Sequence, residues 1–133
     1  LGDVFMNESL ELCPLDARYV DIQEMLSPYF SEYAYVKYRV FVEIKWLIYL
    51  IDNKFTSGDT KKITGIYDNF NLDSFKKIKE IEMKTKHDVK AIEYFIDESL
   101  ENLGLSNLKS FVHFGLTSED INNTAYALMI KDR

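Results

Sequence analysis

The sequence predicts an all-α domain, on three observations. Residues 31–52 repeat apolar side chains at three- and four-residue steps, which places those side chains on one face of a helix. Helix start and stop signals divide most of the remaining chain into shorter segments. The alternation typical of strands never extends beyond a few residues. Because 133 residues suffice for one hydrophobic core, we interpret residues 1–133 as a single helical domain.

The chain opens with a predicted irregular arm over residues 1–19. Its first twelve residues show no period, and Pro14 disfavours helix for the residue before it. A short helix is predicted over residues 20–26, ending ahead of Pro28.

The long helix over residues 31–52 is the strongest structural prediction. Its repeating apolar positions are Tyr33, Val36, Val40, Ile44, Leu47 and Ile51. Additional aromatic residues widen this surface well beyond one stripe, so the helix is expected to pack on more than one side. Ahead of the charge-free run 46–51, its charged residues are Glu32, Lys37, Arg39, Glu43 and Lys45. We therefore predict one long, central, hydrophobic helix.

Shorter helices follow, for a total of about six. The turn-forming residues 57–59 separate the long helix from a weakly determined helix over residues 61–70. A charged helix is predicted to start at Asp73 or Ser74 and to extend to Met83. The next begins near Asp88 and ends at Gly104. A short helix over residues 105–113 and a last one over residues 119–130 complete the prediction.

Composition and charge exclude several classes of partner. The net charge of −6 leaves no basic surplus for nucleic acid or an anionic membrane, so neither is an expected partner. The longest apolar run, residues 46–51, is too short to span a bilayer. The single Cys13 excludes an intrachain disulfide, and no secretory signal is visible. We expect a cytoplasmic location.

Generic searches for catalytic motifs identify neither a phosphate-binding glycine loop nor histidine and cysteine residues at zinc-ligand spacing. The two histidines are the side chains whose ordinary pKa lies near neutrality. His113 lies among apolar residues, which favours a packed, hydrogen-bonded structural role. His87 precedes Asp88 at a predicted helix start. There it either caps the helix or donates a hydrogen bond to an anionic ligand.

A second helix start follows Gly115, where two hydroxyl residues precede two acidic ones. This order is typical of a helix N-terminus, whose first backbone N–H groups lack partners within the helix. Thr117 and Ser118 therefore either cap their own helix or help its end to hold an anion. Spacing alone leaves both interpretations open.

Three segments resemble the adenylosuccinate lyase family of the fumarase/aspartase superfamily. They are residues 13–19 (CPLDARY), 84–95 (KTKHDVKAIEYF) and 113–123 (HFGLTSEDINN), in the order that this family has them. The resemblance extends over almost the whole chain but only the N-terminal part of such an enzyme. It implies the N-terminal helical domain of the fumarase/aspartase-type lyase fold, with the central helical region starting near residues 117–133.

The resemblance also implies which residues contact substrate: Arg18, Tyr19, Lys86, His87, Asp88, Thr117 and Ser118. The first two would contact the nucleotide, with the arginine suited to its phosphate. Thr117 and Ser118 would hold a carboxylate of the succinyl group.

The remaining three residues would form a second substrate-contacting group. His87 would have a supporting catalytic role, in which it positions or polarises the substrate, and Asp88 would orient its neighbours or bond the nucleotide. The chain departs from the family at Cys13, Ala17 and Lys86, where serine, glycine and, in some relatives, asparagine are usual. A lysine at the last position offers a positive charge but no acceptor.

The implied reaction is β-elimination of fumarate from adenylosuccinate to give AMP, and the same cleavage of the succinylcarboxamide ribotide in purine biosynthesis. The resemblance implies a homotetramer and no metal or organic cofactor. The main acid and base would lie beyond residue 133, so this chain alone is expected to be inactive. The alternatives are another fumarate-releasing lyase of the superfamily and a non-enzymatic helical interaction module.

Overall fold

The computed structural model of the protein describes residues 31–132. This part contains five α-helices and one 3₁₀ helix, and no strand occurs within it. The α-helices are α1 (Glu32–Asp52), α2 (Thr60–Asp68), α3 (Leu72–Thr85), α4 (Asp88–Asn102) and α5 (Ser118–Lys131), and the 3₁₀ helix is Ser106–Phe111. The all-α prediction is confirmed. The predicted arm and the helix over residues 20–26 lie outside the described residues, as do Arg18 and Tyr19.

Helix α1 is the centre of the domain, as predicted. It begins after Ser31, whose Oγ accepts a hydrogen bond from the Ala34 N–H at 3.2 Å. It contacts all four other α-helices. Its buried apolar residues pack with residues of α2, α3 and α4 in one cluster that includes Val40, Ile44, Leu47, Ile63, Ile78, Ile92 and Ile96. Burial of this apolar surface is the main stabilising contribution to the fold.

The boundaries of α2 and α3 differ from the predicted ones because of their caps. Helix α2 ends at Asp68, and Phe70 turns into the core, where its ring centroid lies 5.7 Å from that of Tyr33. Asn71 caps α3 through a reciprocal pair of hydrogen bonds with Ser74. Helix α3 therefore begins at Leu72, one or two residues before the predicted start.

The connections around α4 are short. Lys86 ends α3 in the left-handed conformation, with φ of 58°, and His87 is already the N-cap of α4. Gly104, with φ of 75°, follows α4 as the predicted C-terminal glycine. The predicted helix over residues 105–113 is instead the shorter 3₁₀ helix.

Helix α5 packs along α1 through Ile121, Ala125 and Met129. On the same side, the rings of Tyr126 and Tyr35 stack with their centroids 4.3 Å apart. The stacked rings hold the second half of α5 against the first turn of α1. Among residues 31–132, no helix has the length and apolar character needed to cross a membrane.

Replacing Lys86 with glycine should stabilise the chain by about 1 kcal/mol, because glycine adopts a positive φ without the steric cost that a lysine side chain brings. Lys84→Gly is the matched control: this lysine is also exposed but helical, so the same change should destabilise by about 1 kcal/mol. Urea unfolding of both variants measures the difference. Equal destabilisation by the two changes would contradict the role of the left-handed turn.

Candidate functional site

His87 caps α4 with its imidazole ring. Its Nδ1 accepts a hydrogen bond from the Lys90 N–H at 3.1 Å. A ring nitrogen that accepts is unprotonated, so the proton of the neutral ring is assigned to Nε2. The side chain is 53% exposed, which leaves the ring accessible to solvent. The cap thus fixes a tautomer that has Nε2–H as a donor, and the two interpretations of His87 are compatible.

Asp88 follows in the first turn of α4 and is held by two donors. Its Oδ1 accepts from the Val89 N–H and its Oδ2 from Arg39 Nη1, both at 2.8 Å. Partial burial raises the pKa of Asp88. The hydrogen bonds and the positive charge of Arg39 outweigh this effect, so the net pKa is lowered. Asp88 is therefore a fixed, ionised acceptor beside the His87 ring.

Arg39 joins α4 to α5. The side chain belongs to α1 and is only 4% exposed. Besides its bond to Asp88, Nη1 lies 3.5 Å from Asn122 Oδ1, at the long limit of a hydrogen bond, and Asn122 is in α5. The guanidinium group also lies 4.1 Å from the centre of the Tyr35 ring, a cation–π contact. One buried cation thus connects the starts of two helices that bear candidate substrate residues.

A cavity of about 720 Å³ opens beside this helix start. Its lining residues are Lys79, Glu82, Met83, Lys86, His87 and Asp88. Lys79 is neutralised by ion pairs with Glu32 and Glu82. Lys86 is exposed and forms no ion pair with another residue in the part of the chain that the structure describes. Its charge and the partly positive end of α4 favour an anionic ligand there.

The start of α5 is built as a reciprocal cap. Thr117 Oγ1 accepts from the Asp120 N–H at 3.2 Å, and the Thr117 N–H donates to Asp120 Oδ2 at 2.9 Å. These bonds to Thr117 lower the pKa of Asp120. The capping interpretation of Thr117 is thus confirmed. Ser118 is the first residue of α5, and its hydroxyl makes no hydrogen bond to any described residue.

The connection that precedes α5 is anchored to α1 at two adjacent residues. His113 Nδ1 lies 3.0 and 3.2 Å from the two carboxylate oxygens of Glu43, and Trp46 Nε1 donates to the Phe114 carbonyl at 2.8 Å. The predicted structural role of His113 is confirmed. Glu43 is fully buried, and this burial raises its pKa to about 7, although His113 acts to lower it.

Sequence reasoning missed Arg39 and Glu43, which it counted only among the charges of the long helix. A signal was present, since the series Val36, Arg39, Glu43, Leu47 and Leu50 follows three- and four-residue steps, and all five residues are buried. Charged residues within a buried helical stripe need partners from neighbouring elements. Sequence alone could identify this need but not the partners, which are 49 and 70 residues away.

Lys86, His87 and Asp88 therefore form one group at the start of α4. Arg39 connects this group to α5 through its contacts with Asp88 and Asn122. Hydroxyl, imidazole and ammonium groups can bind carboxylate or phosphate oxygens. No group of three or more potential metal ligands occurs within residues 31–132.

A family model described as "Lyase" matches residues 34–133, which is most of the chain. The chain belongs to this lyase family. Adenylosuccinate lyase of Legionella pneumophila (strain Corby) is 47% identical over 132 residues, which cover 90% of this chain and 28% of that protein. Adenylosuccinate lyase of Dictyostelium discoideum is 44% identical, and that of Buchnera aphidicola from Schizaphis graminum 42%; each alignment covers 96% of this chain and 30% of the relative. This lyase chain thus spans less than a third of the length of these curated relatives.

Asp88→Asn should make the stability of the chain less dependent on pH in the acidic range. Because its folded pKa is lowered, Asp88 stabilises the fold above its ordinary pKa of 3.8, and this contribution is lost as the pH falls through the folded value. At neutral pH the variant should be less stable by about 1 kcal/mol, a modest cost because the carboxylate is half exposed.

Urea unfolding of the wild type and of Asp88→Asn between about pH 2 and pH 7 measures this difference. The exposed Asp73→Asn, in the first turn of α3, is the matched control for the loss of one carboxylate at a helix start. If the free energy of unfolding depended on pH in the same way in the wild type and in Asp88→Asn, the ion pair with Arg39 would contribute nothing to the pH dependence of stability.

Proposed function

We propose that this chain is the N-terminal helical domain of an adenylosuccinate lyase and supplies substrate-binding residues to its active site. The main support is the buried Arg39, which contacts Asp88 of one candidate group and Asn122 of the helix that bears the other. The similarity to curated adenylosuccinate lyases over 90% or more of this chain supports the same conclusion. Residues 117–133 would then begin the central helical region of the complete enzyme.

Each candidate group has a role that its chemistry supports. His87 donates its Nε2–H to the substrate and so positions or polarises it, a supporting catalytic role. Asp88 accepts hydrogen bonds from the nucleotide or orients His87, and Lys86 supplies positive charge. The Ser118 hydroxyl and the first N–H groups of α5 bind a succinyl carboxylate, next to the Thr117 cap. Arg18 and Tyr19 contact the nucleotide, with Arg18 on its phosphate.

The reaction is the β-elimination of fumarate from adenylosuccinate, and from the succinylcarboxamide ribotide of purine biosynthesis. A base removes a proton beside a succinyl carboxylate, the carbon–nitrogen bond breaks, and an acid protonates the departing nitrogen. Negative charge accumulates on the succinyl group in the transition state, so donors fixed at a helix start stabilise it. The main acid and base belong to the remainder of the enzyme. We further propose a cytoplasmic homotetramer in which several subunits form each active site.

A chimera tests this function directly. This chain replaces the matching segment of the Legionella pneumophila enzyme, to which it is 47% identical, and fumarate release from adenylosuccinate is measured. The chimera should be active. His87→Ala and Ser118→Ala should each lower kcat/KM by about 10- to 100-fold, because each removes a hydrogen bond to a charged group.

Ser57→Ala is the matched control, since this serine is exposed in the connection between α1 and α2. It should leave kcat/KM unchanged. An inactive chimera, or equal rates for Ser57→Ala, Ser118→Ala and His87→Ala, would contradict the proposal. The second result would favour a helical interaction module in which caps and core account for these residues. Cleavage of argininosuccinate in preference to adenylosuccinate would instead indicate another fumarate-releasing lyase.

The 133-residue chain alone should bind substrate weakly and release no fumarate, because it lacks the proposed acid and base. NMR titration of this chain with adenylosuccinate and with AMP, up to about 1 mM, measures binding. We expect saturable shifts at Arg18, His87, Thr117 and Ser118, with Thr117 and Ser118 responding only to adenylosuccinate. Turnover by the chain alone would refute the assignment of the main acid and base to the rest of the enzyme.

A further inference from the structure

The Glu43–His113 pair is a buried titratable group that the proposed reaction does not use. Glu43 is 1% exposed, in the middle of α1, and both of its carboxylate oxygens lie within hydrogen-bonding distance of His113 Nδ1. A buried carboxylate is stable only when it is paired or protonated. A proton therefore lies between the carboxyl group and Nδ1.

His113 occupies a special position in the backbone. Its φ of 61° is left-handed, and Gly115, two residues later, is also left-handed with φ of 75°. Thr117 follows as the cap of α5 after only one more residue, Leu116. The path of residues 113–116 therefore determines where the Thr117 cap and the Ser118 hydroxyl lie.

Two side chains of α1 hold this path. Glu43 binds the His113 ring, and Trp46, nearly one turn further along α1, binds the carbonyl of Phe114. The Trp46 bond fixes the backbone, while the Glu43 pair fixes the side chain of the left-handed residue. Neither residue contacts Thr117 or Ser118 through a hydrogen bond, so their effect on the α5 start is indirect.

We infer that Glu43 is a positioning residue, which acts through His113 to place the Thr117 cap and the Ser118 hydroxyl for carboxylate binding. The geometric part concerns this chain alone. The part that concerns substrate rests on the proposed function.

The electrostatic surroundings of the pair support a proton-dependent effect near neutral pH. His113 lowers the pKa of Glu43, whereas burial and the Glu93 carboxylate of α4 raise it, with a result of about 7. Asp120 of α5 also interacts electrostatically with His113, and its lowered pKa keeps it ionised in this range. We therefore expect Glu43 to change its protonation near neutral pH, next to the α5 connection.

NMR titration of the 133-residue chain tests the geometric part. The Glu43 carboxyl carbon and the backbone amides of Thr117 and Ser118 should titrate with a common midpoint near neutral pH. Glu43→Gln keeps a hydrogen-bonding partner for His113 but removes the titrating carboxyl. It should abolish the step at these amides or move its midpoint by about half a pH unit or more. The inference would be overturned if the Thr117 and Ser118 amide shifts did not change at the pH midpoint of Glu43. It would also be overturned if they changed equally in Glu43→Gln.

The chimera described above tests the substrate part. Glu43→Gln should retain kcat/KM within about threefold, because the amide oxygen accepts from His113 Nδ1–H. Glu43→Leu removes the bond and should raise KM for adenylosuccinate by about 10-fold, with a smaller change in kcat. Ile78→Ala is the control for lost stability, because it creates a cavity where α3 packs into the core. It should leave KM unchanged.

Where Glu43→Leu does not fold, His113→Asn replaces it. Asparagine tolerates the left-handed backbone but is too short to reach Glu43, so KM should rise in the same way. Equal KM values for wild type, Glu43→Gln and the variant without the bond would overturn the positioning role. An inactive unmodified chimera would refute the proposed function, while the NMR titration would still decide whether Glu43 positions the start of α5.

Discussion

Two buried charges on the central helix organise the candidate site. Arg39 and Glu43 lie one turn apart on α1, a helix whose other buried side chains are all apolar. Each charge costs free energy to bury, and each therefore requires a partner from another part of the chain. Arg39 is paired with Asp88 and Glu43 with His113. The apolar core brings the helices together, and these two pairs determine which parts of α4 and of the α5 connection face α1.

The caps of α4 and α5 leave room for the ligand-binding roles that we propose at the same helix starts. The two roles were alternatives as long as only spacing was known. In the structure, His87 Nδ1 accepts the capping hydrogen bond. The proton of the neutral ring is therefore on Nε2, which can donate a hydrogen bond to a ligand. At α5 the two roles are divided between neighbours, since Thr117 makes the cap and Ser118 keeps its hydroxyl available. A cap at these helix starts is therefore compatible with the proposed binding role and does not compete with it.

The sequence predicted the fold class, the long central helix and the starts of α4 and α5, because local patterns determine these features. Apolar periodicity defines α1, and Asp88 and Thr117 are short-range signals that act within one helical turn. The start of α3 was predicted one or two residues late, since Asn71 was not recognised as a cap. The burial of Arg39 and Glu43 could not be predicted, because their partners are distant in sequence and only tertiary packing brings them together. The left-handed backbone of Lys86 and His113 likewise depends on the helices that these residues connect.

The buried carboxyl of Glu43 links the folding of this acidic chain to proton uptake. Its pKa rises from 4.5 in the unfolded chain to about 7 in the folded one, so at intermediate pH the native state binds more protons than the unfolded state. The contribution of this group to stability is full below pH 4.5, declines as the pH rises toward 7 and levels off above it, opposite in sign to that of Asp88. As the pH rises, the two carboxyl groups thus change the stability of the fold in opposite directions, Asp88 adding to it in acid and Glu43 subtracting from it on the approach to neutrality.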